Sequence, residues 1–408
     1  MKKVVLFLVF IIIGVGVFFG YKFYEDKKEE EALKQKEAKI KEITGHYSSI
    51  VKTNKDAVIY DDEKKESGKI AKDTILNLDE IKIDENTEYF YIEDLKYFIK
   101  YEDVEKTEEV KKVNQRYKNF VVFNQNVVTK DVTNFYQDDK LVYTFNKSFD
   151  LPIIIKDTDR YYVEFNDELY YVLKEGTEVK ESQNTNEATR GNVKTLLYHF
   201  IHPDNMGCDS SICLRASKFE EQLKYIKDEG YFALSMEEVE LFLDGKVRIP
   251  KKSIVLTIDD GAKAEYAIPL LEKYEVKATL FLITSWYDPN TFKSDYLDVE
   301  SHTHNMHNTG VCNMGLQGGA ILCWSEEKVL EDLKTSVEKI GGSKYFAYPF
   351  FDYSTRAISL LQKAGFKMAF IGAGGQNGYS YPGINKYKVP RTTVFSDITM
   401  STFKQYLS

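Results

Sequence analysis

Two short stretches of this 408-residue chain concentrate side chains able to do acid–base and metal chemistry. Leu256-Thr257-Ile258-Asp259-Asp260-Gly261 sets two carboxylates and a glycine at the end of a β-branched run. On a regular strand consecutive side chains face opposite ways, so both aspartates serve one site only where the backbone turns, and Gly261 permits such a turn. Taken alone, the motif reads equally well as an ordinary Asp-Asp-Gly turn. Glu300-Ser301-His302-Thr303-His304-Asn305-Met306-His307 holds three of the chain's six histidines. Helical positions five apart diverge by about 140°, so His302 and His307 converge on one ion only if the segment is a loop leaving a strand. Two imidazoles and one carboxylate match a catalytic zinc site, which keeps a remaining position open for water.

These motifs need a scaffold, and the chain supplies its pattern. Strand candidates at 195–198, 253–258, 278–283 and 344–348 alternate with helical stretches at 217–230, 264–274, 325–340 and 354–365. Alternating βα units predict a parallel sheet or barrel. The remaining length falls short of the roughly 250 residues of a full eight-unit barrel, so a domain over 186–408 with a reduced strand count is expected. Upstream, alternating runs such as Ala57-Val58-Ile59-Tyr60 and Tyr89-Phe90-Tyr91-Ile92, separated by polar turns such as Glu66-Ser67-Gly68-Lys69, predict a small β domain over 45–105. With Gly68-Lys69-Ile70 and a closing Tyr97-Phe98-Ile99, it resembles a bacterial SH3-like domain. A second tract, with Lys140-Leu141-Val142-Tyr143 and Leu169-Tyr170-Tyr171-Val172-Leu173, predicts another small β domain over 106–185.

The amino-terminal region sets the expected compartment. Residues 4–20 are an unbroken apolar run, followed by no small-x-small cleavage pattern and no lipid-accepting cysteine. A run of about 17 residues is the short end of a spanning helix, so 1–22 is expected to be an uncleaved transmembrane signal anchor. The Glu-, Lys- and Ala-rich segment over 23–44 lacks the apolar heptads of a coiled coil and predicts a solvated helical stalk. Cys208 and Cys213, and Cys312 and Cys323, form two close pairs suited to local disulfides outside the cell, reduced cytosolic thiols being the alternative. With 43% hydrophobic and 29% charged residues the chain should fold, and a net charge of −9 argues against nucleic acid as a partner.

Over roughly 195–394 the sequence resembles the polysaccharide deacetylases of carbohydrate esterase family 4, the NodB-homology domain. The matching segments run in order: Leu197-Tyr198-His199, Phe219-Glu220-Glu221-Gln222-Leu223, Ile249-Pro250, the Asp-Asp-Gly stretch, the histidine stretch and Phe346-Ala347-Tyr348-Pro349. The Tyr-His opening and the five-residue histidine step are most similar to the branch that deacetylates poly-N-acetylglucosamine. The resemblance implies a distorted (β/α) barrel in which Asp260, His302 and His307 hold one divalent ion, most often zinc, with cobalt, nickel or iron also compatible. It assigns Asp259 as general base, oriented by Arg391 of Val389-Pro390-Arg391, and the backbone N–H of Phe350, beside Tyr348 and Pro349, as the oxyanion donor. The chemistry is consistent, because an acetamide is a poor electrophile and water, with a pKa near ~15.7, a poor nucleophile.

Two departures stand out. The family's Pro-Tyr-Gly is Pro349-Phe350-Phe351 here, and no histidine follows His307 to supply the late general acid. His199, at the end of the first barrel strand, is then the first candidate for that role, ahead of His202 and His304. Trp286 and Trp324 are either buried or platforms for a pyranose face. The expectation is a membrane-anchored, extracellular, metal-dependent N-deacetylase of peptidoglycan or poly-N-acetylglucosamine. The competing expectation is a catalytically inactive wall-binding scaffold that retains a metal site.

Overall fold

The computed structural model describes residues 2–47, 49–78, 88–109, 115–182, 189–207, 209–372 and 377–407, without the side chains of 2–20, 44 and 46. The chain divides into two compact units, one of residues 1–115, 127–151 and 159–180, the other of 116–126, 152–158 and 181–408.

The first unit begins with a helix, Lys2–His46, whose positions 21–42 are almost all exposed. Among the described residues no helix is long and apolar enough to cross a membrane. The run at 4–20, on which the anchor expectation rests, lies outside the residues whose side chains are described.

Behind the helix an antiparallel sheet runs in the order Arg160–Phe165, Glu168–Leu173, Thr133–Gln137, Lys140–Phe145, Glu66–Ile70, Ala57–Tyr60, Tyr97–Lys100, Tyr89–Ile92. The tracts expected as separate domains over 45–105 and 106–185 therefore share one sheet, and the segments 116–126 and 152–158 group with the carboxy-terminal unit. The join is the pairing of Lys140–Phe145 with Glu66–Ile70, in which Phe145 lies opposite Gly68. Glu66-Ser67-Gly68-Lys69, expected as a turn, is thus strand. Its glycine marks a close backbone approach instead of a reversal. A Cβ on Gly68 would lie 2.0 Å from the Thr144 carbonyl oxygen. Gly68→Ala should accordingly destabilise the first unit by about 1–3 kcal/mol, read as a lower denaturant midpoint; an unchanged midpoint would contradict this strand packing.

In the second unit we label β1 (Val193–Tyr198), β2 (Ser253–Asp260), β3 (Ala278–Leu282), β4 (Leu297–Ser301), β5 (Tyr345–Ala347), β6 (Met368–Phe370) and β7 (Thr392–Thr393). Neighbouring strands from β1 to β6 are parallel, and β7 pairs in parallel with the other side of β1. A parallel bridge between Phe370 and Val389 brings the segment ahead of β7 against β6, so the sheet closes on itself. The result is a barrel of fewer than eight parallel strands, as expected. β2 is buried on both faces, which is why it is almost continuously apolar up to its aspartates.

The helices obey local rules. Ser325 caps Glu326–Ile340 by accepting the Lys328 N–H, Gly341 ends it at φ 84°, and Val329, Asp332, Leu333 and Ser336 form its buried stripe. Because the strands are parallel, their carboxyl ends share one rim, where barrel chemistry sits.

Candidate active site

β2 delivers both aspartates to this rim. The turn begins at Asp260 itself, at φ 74°, and continues through Gly261 at φ 106°. A Cβ on Gly261 would meet Leu282 Cδ1 at 2.5 Å and Tyr287 Cδ2 at 2.9 Å, so glycine is required twice over. His302 follows directly on β4, Thr303 sits at φ 88°, and the chain leaves as a loop that returns His307. The loop is pinned by Asp332, a buried carboxylate accepting the N–H groups of His304 at 2.8 Å and Asn305 at 2.6 Å.

One ligand atom from each of Asp260, His302 and His307 falls within 4.8 Å of the others. The His302 and His307 Nε2 atoms lie 3.4 and 3.3 Å from Asp260 Oδ1. His302 Nδ1 is 2.8 Å from the Ala347 carbonyl oxygen, which can only accept, so Nδ1 carries a proton and Nε2 is the atom turned to the cluster, a donor to Asp260 when the ring is protonated and a lone-pair ligand when it is neutral. Burial opposes the Asp260 charge, but hydrogen bonds from His302 and His307 hold its carboxyl well below the usual range. An anionic oxygen and imidazole nitrogens on one point, with a carbonyl fixing one tautomer, fit a divalent cation of the zinc type.

Asp259 plays a different part. Its oxygens receive Arg391 Nη1 at 2.7 Å and Nη2 at 2.8 Å, while Arg391 Nε donates to the Ile371 carbonyl at 3.2 Å. Arg391 is fully buried, 0% exposed, in the segment that closes the barrel between β6 and β1. Burial works against the Asp259 charge, yet the guanidinium and the nearby imidazoles keep its carboxyl below its ordinary value. Asp259 Oδ2 is 4.0 Å from His302 Nε2, so the carboxylate borders the ion site without belonging to its tightest cluster.

After β5, Pro349–Phe351 forms a tight turn with Phe350 at φ 55° and Phe351 at φ 60°. The missing family glycine is thus met by a phenylalanine in the left-handed region, its ring lying over Gly372, where an added Cβ would come within 2.3 Å of it. The Phe350 ring stands 4.3 Å from that of His307, and its backbone N–H has no acceptor among the described residues. Tyr348, named beside Phe350 as an oxyanion or substrate residue, is 0% exposed and packs against Phe346 with ring centroids 5.4 Å apart.

His199 borders the cluster: burial lowers its pKa against the opposing fields of Asp259 and Asp260, and its buried Nδ1 has no hydrogen-bond partner among the described residues. His202 lies 3.0 Å from the Pro203 carbonyl oxygen and His304 3.0 Å from Thr284 Oγ1, so both have other partners. Trp324 is half-buried under Lys328, whereas Trp286 is 53% exposed and its ring lies 5.3 Å from that of His307. Cys312 and Cys323 are bonded to each other, and Cys213 is disulfide-bonded; Cys208 lies outside the described residues.

Sequence reasoning missed Asp332 and Asp352. Asp332 had a signal, a charged residue on the apolar stripe of an amphipathic helix. Asp352 had none, because its partners are backbone groups in a loop.

Residues 246–369 match the family described as polysaccharide deacetylase. A poly-β-1,6-N-acetyl-D-glucosamine N-deacetylase of Staphylococcus aureus is 27% identical over 212 residues, 47% of this chain and 70% of the relative. Among solved structures, a Streptococcus pyogenes deacetylase, PplD, in complex with acetate is 22% identical with a TM-score of 0.45, covering 53% of this chain and 98% of that one. IcaB from Ammonifex degensii is also 22% identical, with a TM-score of 0.44, covering 54% and 97%.

Proposed function

We propose that this chain is a metal-dependent hydrolase of the amide C–N bond in N-acetylated amino sugars, acting on a polymer of the poly-N-acetylglucosamine type, a reading supported by the match of residues 246–369 to the polysaccharide deacetylase family. The observation that carries the reading is the convergence of Asp260, His302 and His307 beside an Asp259 locked by a buried arginine. The substrate follows the relatives named for that polymer.

Asp260, His302 and His307 would hold the ion. When bound, a divalent ion lowers the pKa of water towards about 7 and polarises a carbonyl. Asp259, kept ionised and in one orientation by Arg391, accepts the proton of the attacking water. The Phe350 N–H serves the oxygen of the former carbonyl as negative charge grows there. His199, after taking a proton from solvent, gives it to the leaving amine, and the proton on Asp259 is lost to solvent as the products leave; the unpartnered Nδ1 of His199 and its place beside Asp259 and Asp260 support this role. Trp286 offers an exposed face beside His307 on which a pyranose can stack.

We place the catalytic unit outside the cell, anchored by 4–20. The apolar run and the oxidised Cys312–Cys323 pair support this.

The deciding measurement is acetate release by the full chain, purified in detergent and loaded with zinc, from poly-N-acetylglucosamine and from peptidoglycan side by side. Release from the first above the second is expected. Release from peptidoglycan alone would move the substrate to the wall, and release from neither by the loaded protein would favour the scaffold.

A further inference from the structure

The disulfide-closed loop after His307 and the turn after Pro349 come from different βα units, yet one carboxylate ties them. Asp352 is 2% exposed, and among the described residues no basic side chain is paired with it. Its Oδ1 accepts the Leu316 N–H, and its Oδ2 accepts those of Gln317 at 3.2 Å and Gly319 at 2.8 Å. Its own N–H donates to Pro349 O at 3.0 Å, and the Phe351 N–H donates to Tyr348 O at 3.1 Å, so Asp352 is also the last member of the tight turn.

The packing excludes other occupants. A Cβ on Gly315 would lie 2.4 Å from Asp352 Oδ1, and one on Gly319 would lie 3.1 Å from Asp352 Oδ2 and 3.6 Å from the Phe350 ring. The loop is folded on itself by Gly310 N–H to Gln317 O at 2.8 Å and Val311 N–H to Gly318 O at 2.9 Å, then closed by Cys312–Cys323. On the far side Arg356 donates to the Ile321 and Trp324 carbonyls at 3.3 and 2.6 Å.

Ile321 and Leu322 anchor the loop in the core, whereas the large side chains at its tip do not take part. Met314 is 57% and Leu316 70% exposed, so the loop reaches the site through its backbone and Asp352. The turn needs such support, because two consecutive non-glycine residues, Phe350 and Phe351, hold left-handed conformations there.

We propose that Asp352, together with the Cys312–Cys323 loop whose N–H groups it gathers, is a positioning unit that holds the Pro349–Phe351 turn and so keeps the Phe350 N–H beside the ion site. This rests on the deacetylase reading, in which that N–H receives the developing oxyanion. Asp352 touches no reacting atom. Its loss acts on the transition state by displacing a donor, for which a shift near 1 Å costs about 10²-fold in rate.

The test compares the full chain with Asp352→Asn and with the paired change Cys312→Ser, Cys323→Ser. Asparagine keeps the shape but turns an NH₂ against an N–H donor. We expect kcat to fall about 10–100-fold with KM within about twofold, zinc content unchanged, and a smaller fall for the paired serine variant. A KM effect alone, or loss of zinc in step with activity, would overturn the assignment. Hydrogen exchange at the Phe351 and Asp352 amides gives a readout independent of substrate: both variants should exchange faster there, while the amides of His304 and Asn305, held by Asp332, stay protected. Should the wild type release no acetate, the deacetylase reading fails and the exchange result alone decides whether Asp352 holds the turn. Unchanged exchange in both variants removes the proposal.

Discussion

His302→Ala and His307→Ala should each lose the bound divalent ion and, with it, at least about 10³-fold in acetate release. Stabilisation of transition-state charge by an ion is worth several kcal/mol, and about 4 kcal/mol corresponds to that factor. The two rings contribute separate lone pairs to one point beside Asp260 Oδ1, so neither substitutes for the other. His304→Ala is the matched control, because its Nδ1 is occupied by Thr284 and its ring is not in the ligand cluster. It should keep the ion and most of the rate. Metal analysis and rate on the same preparations decide the matter: zinc retained at full occupancy in either ligand variant would remove that residue from the site.

The ligand set was readable in the sequence because its geometry is local. Asp259 and Asp260 close a strand, and His302 begins the loop after another, so a parallel sheet brings them to one rim without further information. The turn takes Gly261, as its sequence position suggests, and also Asp260, whose own positive φ no glycine announces. Arg391 came only through the family resemblance. Its position depends on barrel closure across β1 and β6, a contact between segments distant in sequence that no periodicity records.

The same limit explains the amino-terminal half. The strands there were mostly found, but the pairing of Lys140–Phe145 with Glu66–Ile70 merges two expected domains, and a glycine read as punctuation is the point of closest approach. Pattern gives the elements; which edge meets which is settled by tertiary packing.

Asp259→Asn should keep the ion and lose roughly 10²–10⁴-fold in rate, the range of a removed general base, whereas Asp260→Asn should weaken ion binding first. Reversed phenotypes would exchange the two assignments. Arg391→Met separates orientation from basicity. It leaves a buried carboxylate without its partner, a change that costs about 3–5 kcal/mol when one member of a buried pair is removed. The pH dependence follows from the direction of the Asp259 shift. With Arg391 in place the folded-state pKa lies below the unfolded one, so the pair's contribution is complete above the ordinary carboxylate range and fades as pH falls through the folded value. Without Arg391, burial pushes the same carboxyl the other way, and its neutral form at acid pH no longer opposes folding. The stability gap between wild type and Arg391→Met should therefore be widest near neutrality and shrink as the pH falls towards the ordinary carboxylate range and through it. Denaturant unfolding at several pH values measures it, and a gap independent of pH would mean that Asp259 is not the group Arg391 serves. Restoring neutrality in the double variant Asp259→Asn, Arg391→Met should recover stability but no activity, because the buried charge has gone together with the base.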